Sequence, residues 1–192
     1  MPPKQRITRE MILERSFEMF SREGMEVVNA RSVAKALNCS TQPIFSYFSG
    51  MDDLKTALEQ KAKELFETAL KVEDLPGDRL INICCAYTRF AAEQPRLFTH
   101  LFMLNQDDPL YPFMSEEARQ ELICLEAETS GLPLEAAAKV FVQMTVYCHG
   151  LAAVRAAHKA DFTPERMEKM VYGAHKTTVN AVKYCMEHPE EC

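Results

Sequence analysis

Apolar residues recur along this chain at steps of three and four nearly throughout, the spacing that gives a helix one buried face. Leu13, Phe17 and Phe20 form the first stripe; Thr8 is placed to cap it and Gly24 to stop it in a left-handed conformation. A short second helix is expected from about Ala30 to Leu37 behind an Asn29 cap. A third should begin after Ser40, with Pro43 in its first turn, where a missing amide hydrogen breaks no intrahelical bond. A long fourth helix follows from about Met51 to Lys71, with Leu54, Leu58, Leu65, Phe66 and Leu70 as its buried face.

Pro76-Gly77 interrupts the pattern. Beyond it, Leu80, Ile83, Cys84, Tyr87, Phe90 and Ala91 mark a fifth helix ending before Pro95, and Leu97, Phe98, Leu101 and Phe102 a shorter one. Asp107 to Pro112 reads as a loop, and Ser115 caps a helix running towards Ser130-Gly131. Two long helices close the chain, at roughly 134–158 and 164–187. Thr163-Pro164-Glu165 starts the last with a cap, a proline at the first helical position and an acid in the first turn. No hairpin signal or internal repeat interrupts this reading. The expected fold is all-α with about nine helices.

Composition sharpens the picture. The 192 residues are 47% hydrophobic and 26% charged, enough to bury a sizeable core. No secretory signal is visible, and the apolar, uncharged run between Lys139 and Arg155 is shorter than the ~20 residues that span a bilayer. It reads as a buried helix of a cytoplasmic protein. Seven cysteines, an odd number, fit a reducing compartment better than a disulfide framework. The net charge of −6 excludes a protein that coats nucleic acid by charge alone. Residues 1–50, however, hold seven Lys/Arg against five Glu, so the head is slightly basic and the body acidic.

The most informative stretch is Arg31 to Phe48. Two short helices crossing steeply around a tight turn need a small residue at the crossing, a residue tolerant of positive φ in the turn, and apolar residues on the inward sides. Ala34 supplies the first and Asn38 the second. Val33, Leu37, Cys39, Ile44 and Tyr47 supply the third, and Ser40 is placed to cap the second of the two helices. The pattern is that of a helix-turn-helix whose second helix enters the major groove.

At these residues the sequence resembles the TetR/AcrR family of transcriptional regulators. The resemblance runs through Ile12-Leu13-Glu14-Arg15-Ser16-Phe17-Glu18-Met19-Phe20, Glu23-Gly24, Ser32 to Ser40, Ile44-Phe45-Ser46-Tyr47-Phe48 and Asp53-Leu54. Further on, Ala86 to Ala91 with Pro95, and Cys148-His149-Gly150, are similar to a subgroup that carries Trp-His-Gly at the latter site. It implies a DNA-binding head at 1–50 and a ligand-binding and dimerisation domain at 51–192. Arg31 would reach a phosphate or a guanine edge, and Thr41, Gln42, Pro43, Phe45, Ser46 and Tyr47 would line the groove-facing side. The family commonly has Lys where this chain has Thr41 and Met51; Lys4 and Arg6 of an N-terminal arm, with Arg9, would compensate.

Tyr87, Phe90, Phe98, Phe102, Met103, Leu122 and Met144 are candidates to line a cavity for an apolar or aromatic effector, with Cys148 and His149 at its polar end. Taken singly, each is better explained by core packing. Met167, Val171, Ala174, Thr178, Ala181 and Cys185 make a narrow seam on the last helix, and Val140, Met144, Tyr147, Leu151 and Val154 one on its predecessor. Together they are expected to form a four-helix dimer interface, as the resemblance implies. The cysteines lack metal spacing, adjacent Cys84 and Cys85 point about 100° apart on a helix, and no Cys–His–acid arrangement is identifiable. Neither cofactor, resident metal nor catalysis is expected. The expected function is a dimeric repressor that releases a palindromic operator on binding its effector. The alternatives are a small-molecule binder with a degenerate DNA-binding head, and a cysteine-based redox or metal sensor.

Overall fold

The computed structural model describes residues 7–71, 77–104, 114–158 and 162–191. Among these residues it contains nine α-helices and no strand: α1 Arg9–Glu23, α2 Ala30–Ala36, α3 Gln42–Tyr47, α4 Met51–Ala69, α5 Arg79–Glu93, α6 Pro95–Thr99, α7 Glu116–Ser130, α8 Leu134–Ala156 and α9 Pro164–Glu187.

Local chemistry sets most of the boundaries. Thr8, Asp78, Ser115 and Thr163 each accept a hydrogen bond from the first turn of α1, α5, α7 and α9. Asn29 and Ser32 close a reciprocal box at the start of α2: Ser32 N–H donates to Asn29 Oδ1 at 3.0 Å, and Asn29 N–H to Ser32 Oγ at 3.1 Å. Gly24 ends α1, yet at φ 108° and ψ 169° it lies outside the expected left-handed helical region, in a conformation essentially restricted to glycine. A Cβ there would also collide with the Glu26 carboxylate. Ser40 does not cap α3. The cap position is Thr41, whose helical backbone angles (φ −73°, ψ −15°) leave its side chain without a capping bond.

Helix α4 buries Leu54, Leu58, Ala62 and Phe66, one stripe at steps of four. Leu65 falls beside that stripe and is exposed, contrary to expectation. Helix α5 is the hub of the bundle and packs on α6, α7, α8 and α9. Phe66, Tyr87, Phe90, Phe98 and Phe102 meet around it in a cluster of aromatic rings, mostly edge to face, with Phe66 touching Tyr87, Phe90 and Phe102 at 4.7–5.9 Å between centroids. After α6 the chain continues as a single π-helical segment, His100–Leu104. Helix α8 is long and apolar enough to cross a membrane by length and composition, but Ala137, Val140, Phe141, Met144 and Ala152 belong to the protein core.

Five thiols are free among the described residues: Cys39, Cys84, Cys85, Cys124 and Cys148. Cys185 is disulfide-bonded, a departure from the fully reduced set expected from the sequence.

Candidate nucleic-acid interface and internal cavity

Helices α2 and α3 meet around the turn Leu37–Thr41. Asn38 takes φ 51°, the left-handed conformation that its position in the pattern demanded. The turn is held by Asn38 N–H to the Lys35 carbonyl at 3.1 Å and Cys39 N–H to the Ala34 carbonyl at 2.9 Å. Val33, Ala34, Ile44 and Phe48 fill the angle between the helices and are buried. With Ile44 turned inward, the rest of α3 faces outward. Gln42, Phe45, Ser46 and Tyr47 are exposed, and Thr41 and Pro43 are half-buried. Phe45 is a large apolar side chain left 52% exposed on a six-residue helix.

The neighbours of α3 fix its pitch. Tyr47 Oη donates to the Ile7 carbonyl at 3.3 Å, so the phenol is tied to the chain just before α1 while its ring stays accessible. The Arg9 guanidinium lies 4.9 Å from the centre of the Phe48 ring. Asp53 reaches back from the first turn of α4 to accept from Ser49 N–H at 2.9 Å, which joins α3 rigidly to α4. Arg31 is exposed at the start of α2. Arg31 and four of the six predicted positions in and before α3 are thus exposed, with Thr41 and Pro43 half-buried; Lys4 and Arg6 lie outside the described residues. No side chain of α3 carries a charge.

Behind this head, a narrow cavity of about 30 Å³ opens between α5, α7 and α8. Of the residues expected to line it, Tyr87, Leu122, Cys148 and His149 do so. Phe98 and Phe102 do not, because they pack their rings against Tyr87 and each other. Phe90 meets Phe66 edge to face, Met144 is fully enclosed in the core, and Met103 is exposed on the π-helical segment. The sequence reading missed Leu80, Ile83, Cys84, Met114, Phe141 and Thr145, which complete the wall. Leu80, Ile83 and Cys84 lie on the same stripe as Tyr87, a signal that was available.

The polar end of the cavity is a pair: Tyr87 Oη and His149 Nδ1 lie 2.8 Å apart. Burial pushes the Tyr87 phenol up, so it keeps its proton, and pushes His149 down, so the imidazole is neutral. Two neutral groups therefore present a donor and an acceptor without net charge, which suits an apolar guest with one polar atom. Cys84 is pushed up by a hydrogen bond with Cys148 and by burial, and Cys85 is pushed up to about 12, mainly by burial. Thiols held protonated in this way are poor nucleophiles and poor metal ligands.

The His149 shift makes a pH prediction. An unfolded imidazole titrates near ~6.5. Below that pH the unfolded chain binds more protons than the fold, so this contribution is complete above pH ~6.5 and is lost as pH falls. Thermal melts of the wild type and His149→Gln should diverge least near pH 5 and most above pH 7; parallel curves would refute it.

The expected dimer seam is redistributed. Val140, Met144, Leu151, Met167 and Val171 pack inside the protomer, because α8 and α9 turn these residues towards α5 and α7. A fully enclosed side chain has no surface to offer a partner. Tyr147, Val154 and Ala181 are exposed, and Ala174, Thr178 and Cys185 are half-buried. Val154 closes an outward stripe on α8, at steps of four, whose other members Val142, Val146 and Gly150 sequence reasoning missed. Open space surrounds the Cβ position of Gly150.

This arrangement is that of a known class. The structure superposes on a TetR-family transcriptional regulator from Streptomyces coelicolor with a TM-score of 0.61, covering 92% of this chain and 88% of that one at 17% identity. It superposes on a second, from Haemophilus influenzae, with a TM-score of 0.55, covering 87% and 93% at 18% identity. The chain therefore has the all-α fold of the TetR-family regulators. No family model matches the sequence. In sequence it is 23% identical over 128 residues to an uncharacterized HTH-type transcriptional regulator, YobS of Bacillus subtilis. That match spans 65% of this chain and 64% of the relative's length.

Proposed function

We propose that this chain is a dimeric, ligand-responsive transcriptional repressor of the TetR type, working in the cytoplasm on double-stranded operator DNA. The observation that carries the reading is α3: a short helix pitched by a left-handed Asn38, with Phe45, Ser46, Gln42 and Tyr47 presented outward. A helix of six residues is not stable alone in water, so its rigid exposure needs a use. Insertion into a major groove is the use that fits its size, and the relatives are described as transcriptional regulators.

Gln42 is suited to an adenine edge and Phe45 to a thymine methyl; Arg31 is suited to a phosphate or guanine. One such head buries too little surface for tight specific binding, so two must act together about one helical turn (~34 Å) apart on a palindrome. The outward faces of α8 and α9 supply the place for a second copy. The effector is small and apolar or aromatic with one polar atom, matched to the Tyr87–His149 end. The cavity as it stands is far smaller than the ~300 Å³ of a typical ligand site. An effector must therefore part α5 from α8. Phe98 and Phe102 ride on Tyr87, and the segment carrying them holds His100 against Phe20 of α1, 5.0 Å between rings. Parting these helices tilts the head and lowers DNA affinity, and DNA lowers effector affinity by the same factor.

A gel-shift titration against the DNA upstream of the chain's own gene tests this. Sequence-specific retardation should weaken roughly 10-fold or more in Arg31→Ala, with the log–log salt slope reduced by ~0.9 if Arg31 neutralises a phosphate. Retardation equal for operator and scrambled DNA would instead indicate a helical binding protein with an inactive head.

A further inference from the structure

At the edge of the internal cavity, but not lining it, three helices bring unlike polar groups into one point of the core. Glu126 of α7 is 1% exposed, an acid enclosed where helices usually place leucine. Its Oε2 meets His175 Nε2 of α9 at 2.9 Å, while its Oε1 has no hydrogen-bond partner among the described residues. Asp78, the cap of α5, brings a third side chain, and ligand atoms of all three lie within 4.8 Å of one another. One face of the Asp78 carboxylate is occupied, its Oδ1 accepting from Leu80 N–H at 2.9 Å and Ile81 N–H at 3.3 Å.

We propose that Asp78, Glu126 and His175 form a binding site for one divalent first-row transition ion of the Zn²⁺ type. Three observations converge. A buried carboxylate oxygen with no donor is a strong acceptor without a partner, and a cation is the partner that satisfies it. The 2.9 Å between the imidazole nitrogen and the carboxylate oxygen is that of the hydrogen bond now joining them, and exchanging its proton for an ion with bonds of ~2.1 Å asks only that the pair open to ~3.0–3.4 Å. The donor set, one imidazole and two carboxylates from three helices, suits Zn²⁺, Mn²⁺ or Fe²⁺ and disfavours Ca²⁺ and Mg²⁺, which take oxygen. Closing the triad onto an ion asks for a contraction of roughly 1 Å and the loss of the His175–Glu126 proton. Solvent would complete the coordination on the half-exposed Asp78 side.

The site's position gives it a consequence. Asp78 stands two residues before Leu80, and Glu126 stands one turn beyond Leu122, and both leucines line the internal cavity. An ion here would clamp α5, α7 and α9 at the cavity's edge. The inference does not depend on the DNA-binding reading, and its test uses the full-length protein without DNA.

Calorimetric titration of EDTA-stripped protein with ZnCl₂ should show one ion per protomer at micromolar affinity or tighter. Glu126→Gln, nearly isosteric, and His175→Ala should each weaken binding at least about 10-fold while circular dichroism shows unchanged helicity. Co²⁺ in place of Zn²⁺ should give visible d–d bands without a near-ultraviolet thiolate charge-transfer band, since no cysteine is a ligand. Absence of binding, binding unchanged in folded Glu126→Gln and Asp78→Asn, or a thiolate band that disappears on cysteine replacement would each overturn the proposal.

Discussion

Val146→Glu is expected to sediment as a monomer at micromolar concentration, where the parent protein is expected to sediment as a dimer. Val146 is 59% exposed at the centre of the α8 stripe, flanked by Val142 and Val154, with Tyr147 alongside. An apolar row on a well-formed helix is unfavourable in water and favourable against a second copy of itself. A carboxylate introduced there costs little in the monomer, since it remains solvated. In a two-fold interface it would be desolvated twice, opposite its own image, and the penalty amounts to several kcal/mol. Operator affinity should fall by ~10²–10⁴-fold, because two linked heads become two independent ones. Helicity should be unchanged. A variant that stays dimeric would place the interface elsewhere on the molecule.

Ile44→Ala is expected to destabilise the head by about 3 kcal/mol, within the ~2–5 kcal/mol range for truncating an enclosed aliphatic side chain. Ile44 is the anchor of α3 and has no exposed surface. Without it, a six-residue helix loses most of the packing that defines it, and operator retardation should disappear even where the protein remains largely folded. Phe45→Ala, one residue on, is the control. That side chain is outward, so urea denaturation should shift by less than ~0.5 kcal/mol while operator affinity falls. Equal loss of stability in both variants would mean that Phe45 is packed rather than presented.

These two residues also show what was legible in the sequence. The caps Thr8, Asn29, Ser115 and Thr163 and the Asn38 turn are local devices, readable because each acts on its own few residues of backbone. Ile44 inward and Gln42, Phe45 and Ser46 outward follow from the same short-range geometry, whereas Tyr47, expected among the inward residues as well as on the groove-facing side, is 40% exposed. Helix α8 was different, because it is apolar on several sides at once: Ala137, Val140, Phe141 and Met144 point inward, and Val142, Val146 and Val154 outward. Periodicity does not tell a core from an interface when both are apolar. The phenylalanines were assigned to the cavity because rings suit pockets, yet Phe66 gathers Phe90 and Phe102 onto itself, a contact between distant segments that no local pattern records. Glu126 was invisible for the opposite reason, since a glutamate in a helix reads as solvent-facing until its neighbours are known.

The uncharged surface of α3 separates two properties that many DNA-binding proteins entangle. In the proposed complex its side chains would choose among base pairs but contribute nothing to the release of counterions, which would fall to Arg31, Arg9 and other cations around the probe. The identity of the preferred sequence and the grip on the polymer would then be written at different addresses. Exchanging Gln42 or Phe45 should redirect the protein to new sites at nearly constant ionic-strength dependence, which makes this helix a replaceable reading head.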